Sequence, residues 1–218
     1  MDIDIIYKDE DIIVVEKPVG VPSQADKSGA EDLGGYIKDT YGFAGLVHRL
    51  DRPVGGVMVY ALNSKALAKL SAEVQDKKFA KTYLAVVMGE AKDEDVLVHW
   101  LTKNQRINIS QVADKNNKNA KRAELKYKCL KKIETKDYGV LSLVEIDLMT
   151  GRHHQIRVQM ASAKLPLWGD TKYNDFFKRG FYNINLGLYS KSIEFENLSK
   201  KRVVFEKVPS YTPFDFLK

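Results

Sequence analysis

The chain has 218 residues, of which 44% are hydrophobic and 29% are charged, with a formal net charge of +6. This is enough chain to bury the core of one large domain or two small ones. No apolar run approaches the roughly 20 residues that span a bilayer, and Asp2 and Asp4 stand where a secretory signal would be basic. We therefore expect a cytoplasmic protein with no membrane segment.

Six segments rich in β-branched and aromatic residues predict strands. They are Ile12–Val15, Gly56–Tyr60, Thr82–Val87, Ala123–Leu130, Tyr138–Met149 and Arg202–Phe205. Several of them follow one another without an intervening helix, most clearly between residues 96 and 149. This order favours an α+β fold with a mixed, mainly antiparallel sheet over a doubly wound parallel one.

Three segments between the strands predict helices. The first covers Glu31–Tyr41. In the second, Asn63 or Ser64 can cap a helix that buries one apolar face. In the third, Thr150 is the predicted cap, and His153 and Arg157 would share one face of the helix at i, i+4.

The positive charge is concentrated in one segment. Residues 1–35 hold three basic and nine acidic residues, whereas residues 103–132 hold ten basic and two acidic ones. Within it, residues 114–122 contain no apolar residue but Ala120, which predicts an exposed loop able to follow phosphate groups. Charge alone leaves open a solvated loop with no partner.

Cysteine and histidine content argue against a metal site or a redox role. The single cysteine, Cys129, lies in a strand-like segment and is predicted to be a buried small hydrophobe. None of the four histidines has a familiar metal-ligand spacing. A Gly-x-Gly-x-x-Gly motif and a phosphate loop are both missing from the sequence, so we expect neither a metal nor a cofactor.

Two polar clusters have the composition of a functional site. In the first, His48-Arg-Leu-Asp51-Arg is followed by a proline and two glycines and then by a strand. Such a tight loop fixes a carboxylate against neighbouring cations, although an aspartate beside arginines is more often only a turn partner. The second cluster is Thr150-Gly-Arg-His-His-Gln-Ile-Arg157. A partly buried arginine there needs a carboxylate or phosphate to meet.

Together these motifs resemble the RluA-type family of RNA pseudouridine synthases. The family pattern is carried by His48-Arg-Leu-Asp51 with Gly56, and by Gly151-Arg-x-His-Gln-Ile-Arg157 about a hundred residues later. Weaker elements agree in order: Lys17-Pro-x-Gly20 with Pro22-Ser23, Lys81-Thr-Tyr83, and Gly169-Asp170 before Tyr173. The resemblance implies the pseudouridine synthase fold, with a catalytic cleft across the sheet.

The resemblance also implies roles for individual residues. Asp51 matches the catalytic aspartate, Tyr83 the aromatic residue that lies against the target uracil, and Arg157 the basic residue that pairs with the aspartate. Arg49 matches the residue that fills the stack vacated by a flipped nucleotide. The further residues that we expect to contact the RNA are His48, Arg152, Gln155, Lys118, Lys121 and Arg122.

The resemblance predicts a monomeric enzyme that acts on ribosomal or transfer RNA. Many relatives carry a small RNA-binding domain before the Lys-Pro-x-Gly element, but only sixteen residues precede Lys17 here. We therefore expect one catalytic domain over residues 1–218 and no separate N-terminal domain. Departures such as Val54-Gly55, where Thr-Ser is common, bear on which RNA is the substrate.

Two other functional classes were weighed. A non-catalytic RNA-binding protein on the same fold would use the basic segment, but it would gain nothing from Asp51, Tyr83 and Arg157 together. A metal-dependent hydrolase fits the residue types without any familiar ligand spacing. Its ligands would be His48, Asp51, His153 and His154.

Overall fold

The computed structural model describes residues 1–178 and 184–217. Its elements, in chain order, are β1 (Asp4–Lys8), β2 (Ile12–Lys17), α1 (Leu33–Tyr41), β3 (Gly45–Leu46), β4 (Gly55–Ala61), α2 (Ser64–Gln75), β5 (Ala80–Met88), β6 (Glu94–Asn104), β7 (Ile109–Ala113), β8 (Lys121–Thr135), β9 (Gly139–Leu148), α3 (Gln155–Ser162), β10 (Leu188–Glu196), β11 (Arg202–Glu206) and a 3₁₀ turn at Phe214–Leu217. The chain divides into two compact units. Unit 1 is Met1–Lys81 with Tyr189–Pro209, and unit 2 is Thr82–Leu188 with Ser210–Lys218.

Unit 1 is built on strands in the order β1-β2-β4-β10-β11, with the short β3 paired with β4. All neighbours are antiparallel except β4 and β10, which run parallel. One face carries a core of buried residues to which α2 contributes Ala66 and Leu70 and β10 contributes Ile193 and Phe195. The β-branched strand residues fill this face because alternate side chains point to the same side of a sheet.

A glycine allows the parallel contact between β4 and β10. Gly56 has φ +120°, and a Cβ atom placed on it would lie 2.3 Å from the backbone oxygen of Ser190. No other residue type fits this approach without a backbone shift. Gly56 therefore determines how closely β10 can pack beside β4, the strand that follows the Asp51 loop.

Unit 2 contains an antiparallel sheet in the order β5-β9-β8-β6-β7. Helix α3 packs on it through Val158, which contacts Leu101 and Ala123. The amide of Gln159, fully buried, donates to the backbone oxygens of Leu97 (3.0 Å) and Ala123 (3.3 Å). These bonds hold the helix against the middle of the sheet, because a buried amide must find acceptors.

The predicted α+β class with mainly antiparallel strands is confirmed, and each of the six predicted strands is present. The first two helices also form. Asp32 accepts a hydrogen bond from Gly35 N at the start of α1 (2.9 Å), and Asn63 caps α2 by accepting from Ala66 N (2.8 Å). Residues 114–119 are exposed, as the charge pattern predicted. Within the described ranges, no helix is long and apolar enough to cross a membrane.

The predicted start of the third helix is wrong. Helix α3 begins at Gln155, and its N-cap is His154 in the left-handed conformation (φ 52°). Thr150 caps nothing, because its hydroxyl donates to the Gln155 side chain (2.8 Å) and accepts from Glu124 N (2.9 Å). His153 therefore lies outside the helix and does not share a helical face with Arg157.

Candidate active site

The backbone on both sides of Asp51 is held by one segment of unit 1. Before Asp51, the Ser23 hydroxyl donates to the Leu50 carbonyl oxygen (2.8 Å) and accepts from Leu50 N–H (3.2 Å). After it, Gly20 N–H donates to the Arg52 carbonyl oxygen (2.9 Å). The backbone position of Asp51 is thus fixed through its neighbours.

Lys17 is the buried centre of this arrangement. Its ammonium group has no solvent exposure and donates to the carbonyl oxygens of Pro18 (2.8 Å), Val21 (2.6 Å) and Arg52 (3.2 Å). Burial lowers the pKa of Lys17 to about 7, while the charge of Asp51 acts to raise this pKa. A buried ammonium requires acceptors, so Lys17 links the turn that follows it, residues 18–21, to the Arg52 carbonyl oxygen beside Asp51.

His48 and Arg49, which precede Asp51, have opposite environments. His48 is 8% exposed, its Nε2 accepts a hydrogen bond from Val59 N (3.3 Å), and burial lowers the pKa of its imidazole to about 3. A neutral buried ring supports the loop, and the predicted RNA contact of His48 stays a prediction. Arg49 is exposed, as a residue that enters an RNA stack would need to be.

The central feature of unit 2 is a buried ion pair between α3 and the turn that follows Gly169. Arg157 Nε donates to Asp170 Oδ2 (2.8 Å) and Arg157 Nη2 donates to Asp170 Oδ1 (2.6 Å). The two residues are 4% and 1% exposed. Two parallel charge-assisted bonds fix the plane of the guanidinium, which a lysine could not reproduce.

Asp170 is itself oriented by its turn. Its Oδ1 accepts from Lys172 N (2.9 Å) and Tyr173 N (3.1 Å), and the Tyr173 ring lies 5.3 Å from the Arg157 guanidinium carbon. Gly169 has φ +67°, and a Cβ there would lie 2.3 Å from the Asn185 carbonyl oxygen. The Gly-Asp element therefore serves to present a carboxylate to Arg157.

Gln155 holds together the motif that precedes α3. Its side-chain oxygen accepts from Thr150 Oγ1 (2.8 Å) and Arg152 N (2.9 Å), and its amide donates to the Glu124 carbonyl oxygen (3.0 Å). The residue is 3% exposed. These bonds show that Gln155 supports the motif, and its predicted RNA contact stays a prediction.

The remaining predicted site residues all lie in unit 2. Tyr83 is 6% exposed and stands on β5 opposite Ile146 of β9. Arg152 is exposed and its Nε donates to the Arg122 carbonyl oxygen (3.1 Å), so the structure brings these two arginines together. Lys118 and Lys121 are exposed, and Arg122 forms an ion pair with Glu124 (2.5 Å).

Three supporting residues were not predicted as part of the site: Lys17, Ser23 and Asp170. Each belongs to a weak element of the family pattern, which was the available signal. The predicted pairing of Asp51 with Arg157, one from each unit, stays a prediction. Among the described residues, no group of three or more histidine, cysteine, aspartate or glutamate side chains could hold a metal ion.

Comparison with known proteins identifies the family. The family model for RNA pseudouridylate synthase matches residues 11–162. A tRNA pseudouridine synthase C of Vibrio parahaemolyticus is 32% identical over 89% of this chain and 85% of its own. A ribosomal large subunit pseudouridine synthase C of Rickettsia bellii is 31% identical over 95% of this chain and 69% of its own.

Solved structures agree on the fold. Human RNA pseudouridylate synthase domain containing 1 aligns over 97% of this chain and 85% of its own, with a TM-score of 0.82 at 20% identity. Human RNA pseudouridylate synthase domain containing 4 aligns over 94% and 88%, with a TM-score of 0.74 at 22% identity. The chain belongs to the RNA pseudouridine synthase family, whose members isomerise uridine in RNA to pseudouridine.

We expect Lys17→Met to change how the stability of the protein depends on pH. The pKa of Lys17 is lowered from 10.5 to about 7 in the folded protein. At pH values between these two pKa values, the unfolded chain binds more protons at Lys17 than the folded protein does. The free energy of unfolding should therefore rise with pH in this range. Urea unfolding at about pH 6 and about pH 9.5 measures this rise. It should shrink in Lys17→Met and persist in the exposed control Lys65→Met. An equal rise in both variants would contradict this expectation.

We expect Asp170→Asn to destabilise the protein strongly. The change leaves Arg157 buried without its counter-charge, which costs about 3–5 kcal/mol. The control Asp175→Asn removes a carboxylate whose ion pair with Lys178 is exposed, and it should cause no measurable change. Urea unfolding of both variants makes the comparison, and equal stabilities would show that the ion pair does not hold this turn.

Proposed function

We propose that the protein isomerises one or more uridines of a structured RNA, ribosomal or transfer RNA, with Asp51 as the essential carboxylate. The observation that supports this most directly is the fixed backbone on both sides of Asp51, held by Ser23, Gly20 and Lys17. A turn that only needed to change chain direction would not require a buried ammonium beneath it.

The reaction needs no external oxidant, reductant or group donor. The bond from ribose C1′ to uracil N1 breaks, a bond from C1′ to uracil C5 forms, N1 gains a proton and C5 loses one. A carboxylate can assist as a nucleophile or by stabilising a sugar cation, and it can help to remove the C5 proton. Both roles require Asp51 to be ionised.

Arg157 and Tyr83 are proposed to serve the same reaction. Arg157 is permanently charged, and its bonds to Asp170 use Nε and Nη2, so Nη1 is not part of that pair. We propose that this charge keeps the reacting carboxylate ionised and that the Tyr83 ring lies against the uracil. The pairing of Arg157 with Asp51 is the part of this proposal that comes from the family resemblance.

The target base must leave its stack before it can react. Flipping costs a few kcal/mol, which stacking on an aromatic ring and contacts to phosphates can offset. We propose that the exposed Arg49 enters the vacated stack. The exposed cations that would follow the RNA backbone are Arg152, Lys118, Lys121 and Arg122.

We propose further that the enzyme works as a cytoplasmic monomer without metal or cofactor. The competing hypothesis is that the protein binds RNA without catalysing the reaction. Loss of the C5 proton separates the two, because only turnover releases it.

We expect Asp51→Asn to abolish isomerisation while the protein stays folded. The variant should release tritium from RNA labelled at uracil C5 at least about a thousandfold more slowly than the wild type. Asp39→Asn, which neutralises an exposed carboxylate of α1 in the same unit, is the matched control and should keep wild-type activity. Thermal unfolding checks that both variants are folded. Clear turnover by purified Asp51→Asn would refute the proposed role.

A further inference from the structure

The hairpin formed by β6 and β7 is fastened to the rest of unit 2 by polar contacts. The Ser110 hydroxyl donates to the His153 carbonyl oxygen (2.7 Å) and lies 2.9 Å from His153 Nδ1. Ser110 N–H donates to the Tyr173 hydroxyl (2.7 Å), and Ser110 is 2% exposed. The hairpin is therefore a fixed structure at this point, although its turn is exposed.

Three basic side chains lie around these contacts of Ser110. Lys103 is exposed and stands directly opposite Ser110 in the β6–β7 register. Lys172 donates to the Asn108 carbonyl oxygen (3.0 Å), two residues before Ser110. The half-buried His153 ring stacks on His154, with 3.8 Å between the ring centroids. Residues from three separate parts of the chain thus converge on one place.

The local electrostatic field is positive. Burial and then the charges of Arg157, His153, Lys172 and Lys103 lower the pKa of His154 to about 2. Arg157 forms an ion pair with Asp170. Within the described part of the chain, Lys103 takes part in no ion pair. Lys103 therefore adds positive charge beside the hairpin, and positive charge there favours an anion.

This cluster is distinct from the basic loop, residues 114–122, that the charge pattern of the sequence predicted. Lys118 lies in an exposed turn, and Arg122 is paired with Glu124. The side chains near Ser110 instead stand on backbone that buried hydrogen bonds hold in place. Donors on a fixed frame lose less conformational entropy when they bind a compact anion.

We propose that Lys103, His153 and Lys172 bind one backbone phosphate of the substrate RNA. The inference rests on the proposed function and specifies where unit 2 would contact the RNA backbone. Lysine ammonium groups suit phosphate as point charges. Because the Ser110 hydroxyl donates to the His153 carbonyl oxygen, His153 Nδ1–H donates to Ser110, and the ring can donate to a phosphate only through Nε2 of its protonated form. The phosphate would place the RNA against the same turn that holds Arg157.

The test measures the salt dependence of RNA binding in Lys103→Ala/Lys172→Ala. The probe is total transfer RNA and, separately, total ribosomal RNA, titrated over a range of salt concentrations. Loss of one phosphate contact should make the slope of log K against log salt shallower by about one unit and weaken binding at low salt about tenfold or more. The control Lys128→Ala/Lys136→Ala removes two exposed positive charges from β8 and the turn after it.

The inference is supported if the slope changes in the first variant and stays at the wild-type value in the control. It is overturned if both variants have the same slope with both RNA classes. Should the alanine variant unfold, Lys103→Gln/Lys172→Gln removes the same charges with less loss of packing. Wild-type tritium release is measured in parallel. Its absence would count against the proposed function, whereas turnover with an unchanged slope would count only against this phosphate site.

Discussion

A buried cation must find acceptors inside the protein, and among the described residues each unit has one lysine or arginine that is buried, Lys17 and Arg157. In unit 1, the Lys17 ammonium collects three carbonyl oxygens and thereby fixes the loop that carries Asp51. In unit 2, the Arg157 guanidinium takes both oxygens of Asp170. Because desolvating a charge is expensive, neither side chain can shift without losing these bonds. The backbone beside Asp51 and the side chain of Arg157 are therefore held in place for the same physical reason.

The parts of the fold that local patterns determine could be predicted from the sequence. Strands rich in β-branched residues form where expected, and Asn63 caps α2 because a short polar side chain there satisfies a free backbone N–H. The start of α3 could not be predicted, since Thr150 is a good cap by type. Its hydroxyl is instead taken up by Gln155, which follows it by five residues but also bonds to β8. Contacts with residues distant in the sequence therefore determine where α3 begins.

The site divides in the same way. Asp51, Tyr83 and Arg157 follow from the family pattern, but the burial of His48 and Gln155 does not, because a polar residue in a motif gives no sign of which side faces solvent. Lys17 is the clearest example. A lysine is almost always exposed, and one of its three acceptors, the Arg52 carbonyl oxygen, lies 35 positions away in the sequence. The positive cluster near Ser110 is likewise assembled from residues up to about seventy positions apart. Counting charges along the sequence therefore identified the basic loop but not this cluster.

The most direct test of the account is a map of pseudouridine in cellular RNA. RNA from a strain that lacks the gene is compared with RNA from the same strain expressing the wild-type protein or Asp51→Asn at equal levels. The account predicts that specific positions in transfer or ribosomal RNA lose pseudouridine in the deletion strain, regain it with the wild-type protein, and remain uridine with Asp51→Asn. Restoration of the same positions by Asp51→Asn would contradict the central claim that this carboxylate carries the reaction.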